Sequence, residues 1–441
     1  MIEKSEAMQM LEKVLEASVA DQTEVVLTEG ESALTRFANN VIHQNVAYHD
    51  AHVAVRVAKG NRVGVAGTNR LDDVGLGAVA ERALAIAKVT GESPDFESLP
   101  MPAPLRSAEA FDPRTVECTP DVRADAVARM VKQARTADAT AAGAFSTSGS
   151  AVAVANSLGV RAYHPITEAS LNLTMTRQGG NARATDYGWK LAEVDPDAAA
   201  QAAASRVIAA ADPVDVEPGP WTVILEHDAV STLVQFLSHL GFGAKACQEK
   251  RSFVAGKLGL KITGDQITIW DDGLDPMGVP FPFDFEGMPK KKVMLIENGI
   301  AKGVVYDSRT AAKEGKTSTG HALPPQFSFG PMAWNLFMAG GDSSIDRMIA
   351  STKKGLLVSA FHYVNVAEPM KTVLTGMTRF GTFLVEDGVV KRAVKNLRFT
   401  QSVLDAFDRV AAVSADRKRF DGAVVPAVKI EQFHFTGKTE F

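Results

Sequence analysis

A short segment rich in proline and acidic residues divides the chain into two parts with different hydrophobic patterns. Residues 212–220 read Asp-Pro-Val-Asp-Val-Glu-Pro-Gly-Pro, with three prolines and three acids. Proline has no backbone N–H and a fixed φ, so neither a helix nor a central strand passes easily through such a segment. We therefore predict an N-terminal domain over 1–211, a proline-rich linker over 212–220 and a C-terminal domain over 221–441.

The N-terminal part combines helical and strand periodicity. Apolar residues at helical spacing predict a first helix over 4–19, and an Ala- and Leu-rich segment predicts a second over 71–89. Two more helices are predicted where a capping side chain precedes a proline, at Thr119-Pro120 and Asp195-Pro196. Alternation with period two, from residue 23 and again over 151–176, predicts hairpin strands with one solvated side.

Beyond the linker the pattern is mostly that of β-strands. Two similar segments place Asn298-Gly299 and Asp387-Gly388 between apolar runs, and these dipeptides are the strongest short-range signal for a hairpin. The fold class predicted from the sequence is therefore α+β. It consists of an N-terminal α/β domain with hairpin strands and helices, followed by a β-rich C-terminal domain.

Charge and composition restrict the possible partners. The net charge is −5 with neutral histidines and there is no basic block, which argues against direct binding of nucleic acid. Two cysteines, Cys118 and Cys247, cannot build a disulfide framework or a cysteine-based zinc site by themselves. No apolar run approaches 18 residues and the N-terminus has no apolar signal region, so we expect a soluble cytoplasmic protein without membrane contact.

Several short motifs that suggest ligand binding have ordinary structural explanations. Gly315-Lys316-Thr317 ends like a phosphate-binding loop, but Thr310 stands where that loop requires its first glycine. Gly241 and Gly243 are better explained by the end of a helix than by a dinucleotide fingerprint. His43, His49 and His52 are close in sequence, but a solvated strand surface explains them better than a metal site.

The most informative segment is a strand-to-helix junction at Glu226-His227-Asp228. Metallohydrolases need two or three imidazoles or thiolates on zinc and a carboxylate that deprotonates the bound water. His227 can supply one ligand and Asp228 or Glu226 the acid, but Thr232 stands where a second ligand is expected. His239 lies about 120° around the helix from His227. A capping or buried hydrogen-bonding role remains the alternative for His227.

Several separated segments, in the same order, give the chain a resemblance to the TldD/PmbA family. These proteins are known as modulators of DNA gyrase and as peptidases. The resemblance spans nearly the whole chain and rests on Thr35–Asn40, Ile42–Gln44, Leu225–Val230, Ser318–Gly320, Thr375–Arg379 and Phe383–Gly388. It implies an α/β domain followed by a β-rich domain, and a dimer that encloses a cavity and cleaves unstructured peptides.

The resemblance also implies which residues correspond to the family's zinc site. The active subunit holds zinc on His-Glu-x-x-x-His and a later cysteine, and its partner lacks that set but completes the chamber. The first histidine corresponds to His227, the glutamate to Asp228 and the second histidine to Thr232, and no cysteine follows Cys247. This chain therefore resembles the non-catalytic TldE/PmbA-type subunit. It is expected to bind no zinc itself and to pair with another copy or with a zinc-bearing TldD-like paralogue.

Polar residues beside glycines in the C-terminal domain are candidates for lining a peptide-binding strand edge, with tight-turn chemistry as the alternative. These candidates are Ser318, Thr319, His321, Thr378 and Arg379. Two other functions remain open. The chain can be a self-sufficient zinc peptidase that uses His227, Asp228 and a further histidine, or a protein-binding modulator of DNA gyrase. The histidines considered for that further ligand are His239, His321 and His362.

Overall fold

A computed structural model describes residues 1–439. Its N-terminal part contains one six-stranded sheet in which all neighbouring strands are antiparallel. The strands are β1 (Gln22–Ala38), β2 (Val41–Lys59), β3 (Arg62–Thr68), β4 (Thr140–Asn156), β5 (Arg161–Arg177) and β6 (Gly180–Gly188). Their spatial order is β3-β2-β1-β4-β5-β6, so the two halves of the sheet meet where β1 pairs with β4.

Helices cover one side of this sheet. They are α1 (Lys4–Ala17), α2 (Asp73–Val89), the short α3 (Pro113–Val116), α4 (Pro120–Thr136) and α5 (Pro196–Ala209), with a single 3₁₀ turn at Leu191–Glu193. The order helix, three strands, helix occurs twice, since α1 and α2 pack together around β1–β3 and α4 and α5 pack together around β4–β6. Each half therefore has its own apolar core.

The predicted helix starts are confirmed in atomic detail. The Thr119 hydroxyl accepts from the amide of Val122, and the Asp195 carboxylate accepts from the amides of Asp197 and Ala198. In both helices a proline occupies the first turn, where its missing N–H would have no partner inside the helix. Local sequence chemistry is sufficient to fix these two helix ends.

The opposite side of the six-stranded sheet packs on the C-terminal part of the chain. Because side chains alternate across a strand, Val25 points to the helices and Val26 to the other side. On that other side, Val26 and Val154 pack with Phe283, which is buried. The even-numbered positions of β1, β4 and β5 therefore form an interface between the two parts of the chain.

The C-terminal part is built on an eleven-stranded sheet. Its strands are β7 (Gly219–Leu225), β8 (Ile269–Asp271), β9 (Val293–Glu297), β10 (Ile300–Ala301), β11 (Leu336–Met338), β12 (Lys354–Glu368), β13 (Val373–Glu386), β14 (Val389–Ala393), β15 (Leu397–Ser402), β16 (Val410–Phe420) and β17 (Ala423–Lys438). The order is β10-β9-β8-β11-β17-β15-β13-β12-β7, and β14 pairs with β13 and β16 with β17. Because β7 also pairs with β17, five strands close into a ring around an aromatic core.

Five helices complete this part, and the predicted hairpins are present. The helices are α6 (His227–Gly241), α7 (Ala244–Gln248), α8 (Ser308–Ala312), α9 (Ile345–Ala350) and α10 (Val403–Asp408), with a 3₁₀ turn at Pro369–Lys371. Asn298-Gly299 joins β9 to β10 and Asp387-Gly388 joins β13 to β14, with positive φ at all four residues, as a type I′ turn requires. The α+β prediction is confirmed.

The segment between the two parts is short. Helix α5 ends at Ala209 and strand β7 begins at Gly219, inside the segment 212–220 that the sequence marks as a linker. The division into domains at this segment stays a prediction. Among residues 1–439, no helix is both long and apolar enough to cross a bilayer.

Candidate functional site

The strand-to-helix junction identified in the sequence lies in the interface between the two parts of the chain. Strand β7 ends at Leu225, and the amide of Glu226 donates to the carbonyl of Val358 on β12. Helix α6 then begins directly at His227. The central position of β7, between β12 and β17, fixes this helix start in the body of the protein.

The His227 imidazole is buried and only 4% exposed. Its Nε2 lies 3.1 Å from Oδ2 of Asp416 on β16, but the two groups are not aligned for a hydrogen bond. Burial lowers the pKa of His227, against the opposing influence of the Asp416 charge. The imidazole is therefore neutral at pH 7.

The Asp228 carboxylate forms an ion pair with Arg183 of strand β6. The Arg183 guanidinium also lies 4.4 Å from the centre of the Phe380 ring, which is within cation–π distance. Burial raises the pKa of Asp228, and the charge and hydrogen bond of Arg183 oppose that rise. The Asp228 carboxylate is thus occupied by a cation from the N-terminal sheet.

Thr232 and Glu226 are also engaged with protein partners. The Thr232 hydroxyl donates to the carbonyl of Asp228 one turn earlier in α6, at 3.2 Å. The Glu226 carboxylate accepts from Arg206 of α5 at 2.7 Å. Arginines from the N-terminal part therefore neutralise both acids of the junction.

The donor set at this junction does not fit zinc. A zinc site uses three or four protein ligands, whereas His227 is the single imidazole here and Thr232 is a poor ligand. Two cationic side chains also lie close to the junction. Arg183 binds Asp228, and the charge of Lys418 further lowers the pKa of His227. Throughout the described part of the chain, no group of three His, Cys, Asp or Glu side chains is arranged to hold a metal ion.

The three other histidines considered as ligands lie in separate environments. His239 is in the last turn of α6 and contacts the Phe329 ring. His321 is buried, with Nε2 2.8 Å from Oδ1 of Asp271. His362 lies on β12 beside aromatic rings. None of them joins His227 in a ligand cluster within residues 1–439.

The predicted peptide-lining residues have different surroundings. Ser318 and Thr378 are buried, and their hydroxyls bond to backbone groups, at Tyr306 and Gly320 for Ser318 and at Leu397 for Thr378. The Thr319 hydroxyl bonds Nδ1 of His321, and the Arg379 guanidinium lies 5.6 Å from the Phe380 ring centre. Of these five, His321 borders a cavity that adjoins the junction. Substrate lining by this set stays a prediction.

That cavity lies between the two sheets and has a volume of about 360 Å³. One wall comes from alternate positions of β4, β5 and β6, including Ile166 and Tyr187, and the other from C-terminal loops that carry Phe281 and Trp334. Burial raises the pKa of Tyr187 to about 12, and the charge of Asp421 contributes to this rise. The charge of Asp421, which lines the cavity, also raises the pKa of Asp228. The cavity wall and the start of α6 are therefore close enough for their charges to interact.

Sequence reasoning did not find Arg183, Arg206, Asp416 or Lys290 as parts of this region. They come from elements far apart in the chain, and no local motif connects them to His227. Because side chains alternate along a strand, the sequence of β6 shows only that Arg183 lies on the same side of the sheet as every second residue of that strand. The location of that side against α6 depends on the packing of the two sheets.

Comparison with known proteins gives matches along most of the chain. Sequence models described as PmbA/TldA metallopeptidase domain 1, central domain and C-terminal domain match residues 23–87, 117–211 and 218–437. Metalloprotease PmbA of Escherichia coli O157:H7 is 25% identical over 422 residues, which are 91% of this chain and 89% of PmbA. A metalloprotease TldD homolog of Haemophilus influenzae is 26% identical over 238 residues, 49% of this chain. That match covers 46% of the homolog, so this chain spans about half of its length.

Two solved structures share the fold over almost the full length. TldE from Thermococcus kodakarensis superposes with a TM-score of 0.88 at 23% identity, covering 98% of this chain and all of that chain. A proposed modulator of a DNA gyrase from Thermotoga maritima gives a TM-score of 0.87 at 18% identity with the same coverage. Together with the three matched domain models, which follow one another in order, these findings show that the chain belongs to the PmbA/TldD metallopeptidase family.

Proposed function

We propose that this chain is the metal-free, TldE/PmbA-type subunit of a peptidase that acts on unstructured peptides. In this proposal a zinc-bearing, TldD-like partner supplies the reacting centre, and this chain completes the chamber in which the peptide binds. Neither partner nor substrate is nucleic acid. The proposal is carried by one observation, the ion pair of Arg183 with Asp228 at the position that corresponds to the catalytic glutamate.

The Arg183–Asp228 pair argues against catalysis by this chain for a simple chemical reason. A general base must hold the water from which it takes a proton, and the Asp228 oxygen that binds the Arg183 guanidinium is not free to hold a water. Arg183 also places a positive charge beside the position where a dication would bind. With a hydroxyl at Thr232 in place of an imidazole, the junction has a helix start with a histidine and an acid but lacks a second imidazole ligand.

The interface between the sheets is nevertheless suited to contribute to a chamber. It brings a cavity, the junction and the aromatic side chain of Trp334, which is 58% exposed, into one region. An apolar cavity with a few fixed polar groups is the usual form of a small-ligand or peptide-end pocket. Binding without chemistry is therefore the contribution that this geometry supports best.

The first test is the zinc content of the purified chain. We expect well below one zinc per chain by elemental analysis of tag-free protein supplied with zinc and purified without chelator, because the donor set is incomplete. His227→Ala is expected to leave that value unchanged, as is His239→Ala, a matched change at the exposed end of the same helix. One zinc per chain that is lost in His227→Ala would contradict the metal-free subunit and favour a self-sufficient zinc peptidase instead.

The second test is peptide hydrolysis with a partner. We expect no cleavage of an unfolded polypeptide such as reduced, alkylated casein by this chain alone, and cleavage when a zinc-bearing TldD-like paralogue from the same genome is added. His227→Ala should retain at least half of the rate of the pair, because the imidazole contacts no reacting group. A rate that falls more than about 100-fold in His227→Ala would contradict the proposal, since losses of this size follow removal of a catalytic group. If affinity purification with the tagged chain recovers gyrase and no paralogue, the result would favour the function as a modulator of DNA gyrase.

A further inference from the structure

The cavity between the two sheets contains a lysine ammonium with no acceptor from the protein. Lys290 is 7% exposed and lines the cavity. Within residues 1–439 its Nζ takes part in no hydrogen bond and no ion pair, although the charge of Lys290 acts on Asp271 and His321. An ammonium has three N–H donors, and because this Nζ is not a fully buried atom, they face the open space of the cavity, where solvent or a ligand can accept them.

The position of this side chain is well defined by packing. A Cβ at Gly273 would lie 2.4 Å from Cδ of Lys290, so the aliphatic part of the lysine fills the space above this glycine. The Lys290 amide donates to the carbonyl of Pro282, which fixes the backbone on the other side. The ammonium is therefore held at the cavity wall by its stem and its backbone.

Asp271, on which the charge of Lys290 acts, and Asp284, which lines the same cavity, already accept hydrogen bonds from other groups. Asp271 bonds Nε2 of His321 through one oxygen and the amide of Asn335 through the other. Asp284 accepts three backbone amides, and burial together with the neighbouring charge of Glu286 raises its pKa. These acids offer little acceptor capacity to the ammonium, and a ligand carboxylate would supply it.

Much of the remaining cavity wall is apolar, and the cavity leads to an open groove. Glu168, Arg419 and Asp421 also line the cavity, and Arg419 is paired with Glu168. Phe281, Phe285 and Ile166 line its inside, and Trp334 stands at the opening. Beyond Trp334 the surface continues into a groove along α6 that is lined by Phe236 and His239. A ligand with an anionic end, an apolar side chain and an extended chain behind it would match the ammonium, the apolar wall and the groove in that order.

We propose that the cavity binds the C-terminal residue of an unstructured peptide, with its α-carboxylate on Lys290, its apolar side chain among the phenylalanines and its preceding residues in the groove beyond Trp334. Capture of a C-terminal carboxylate is a recurring mode of peptide recognition, and an ammonium forms strong, charge-assisted hydrogen bonds with a carboxylate. The volume of about 360 Å³ is at the small end of ligand pockets, which suits one or two residues and excludes folded chains. The inference rests on the proposed function for its choice of ligand, but its test needs no partner and no hydrolysis.

The test is direct binding by isothermal titration calorimetry on the full chain alone. The probe is acetyl-Ala-Ala-Leu with a free carboxylate, compared with the same peptide as its C-terminal amide. We expect the amide to bind roughly 10- to 100-fold more weakly, because it lacks the charge-assisted hydrogen bonds to Lys290. Equal affinity of the two peptides, or no heat of binding at millimolar peptide, would overturn the proposal.

Lys290→Met tests the residue itself. We expect it to weaken binding of the free-carboxylate peptide by a similar factor and to remove most of the preference over the amide. Lys291→Met is the matched control, since this neighbouring lysine is exposed and bonds Thr317 outside the cavity. If Lys290→Met does not fold, the comparison of the two peptides on the unmodified chain still decides.

The two proposals fail in different ways. If peptide binding depends on the carboxylate but the chain and a TldD-like partner together hydrolyse no peptide, the proposed binding site stands and the proposed peptidase function is wrong. If the pair hydrolyses peptides but this chain binds the free-carboxylate and amide peptides equally well, the proposed function stands and the proposed binding site is wrong.

Discussion

Arg56→Ala is expected to lower the free energy of unfolding by about 3–5 kcal/mol at pH 8. Arg56, on β2, donates to Glu24 on β1 at 2.8 Å and to Glu286 of the C-terminal part at 2.9 Å. Both carboxylates are buried, at 1% and 5% exposure, so the substitution leaves two buried charges without their shared cation. The measurement is urea unfolding at pH 8 of the variant and the parent chain.

Two comparisons give this prediction its specificity. Arg70→Ala removes an exposed ion pair with Asp72 and is expected to cost less than about 1 kcal/mol. Arg56→Lys keeps the charge but not the two-sided guanidinium contact, so an intermediate loss is expected. A loss in Arg56→Ala no larger than that in Arg70→Ala would show that the buried network contributes little to holding the two sheets together.

Glu24 is expected to lower the free energy of unfolding of the parent chain by roughly 3 kcal/mol as the pH rises from about 4.5 to about 7. Burial, only partly opposed by Arg56, raises the pKa of Glu24 from 4.5 to about 7. In this window the folded chain holds a proton on Glu24 that the unfolded chain releases, so the contribution of Glu24 to the unfolding free energy decreases with increasing pH and levels off above about 7. The raised pKa of Asp284 acts in the same direction. The lowered pKa values of the buried His164, His227 and His321 act in the opposite direction, because the unfolded chain binds protons on these imidazoles that the folded chain does not.

Glu24→Gln isolates this contribution. The amide cannot titrate, so its unfolding free energy, measured in urea at pH 5, 6, 7 and 8, should change less with pH than that of the parent chain. Glu31→Gln serves as the control, because its half-exposed carboxylate pairs only with the chain N-terminus and should leave the pH profile as it is. An identical profile for Glu24→Gln and the parent would refute a titration of Glu24 in this range.

The sequence predicted the local features of the fold well and the site only in part. The caps at Thr119 and Asp195 and the turn at Asn298-Gly299 depend on chemistry within a few residues, and the structure confirms all three. The position of His227 at a strand-to-helix junction is confirmed for the same reason. The ion pair of Asp228 could not be predicted, because Arg183 comes from another sheet.

The sequence by itself determined the α+β class, the family and the incomplete ligand set at the junction, because composition, periodicity and residue identity are properties of the chain alone. The tertiary structure decided which side of the N-terminal sheet faces the C-terminal part. That packing brings Arg183 to Asp228, Arg56 to Glu286, and Lys290 to the wall of an apolar cavity. Period-two alternation distinguishes two sides of a strand but does not say what covers each of them. Long-range packing of the two sheets supplies that information, and with it the charges that define the site.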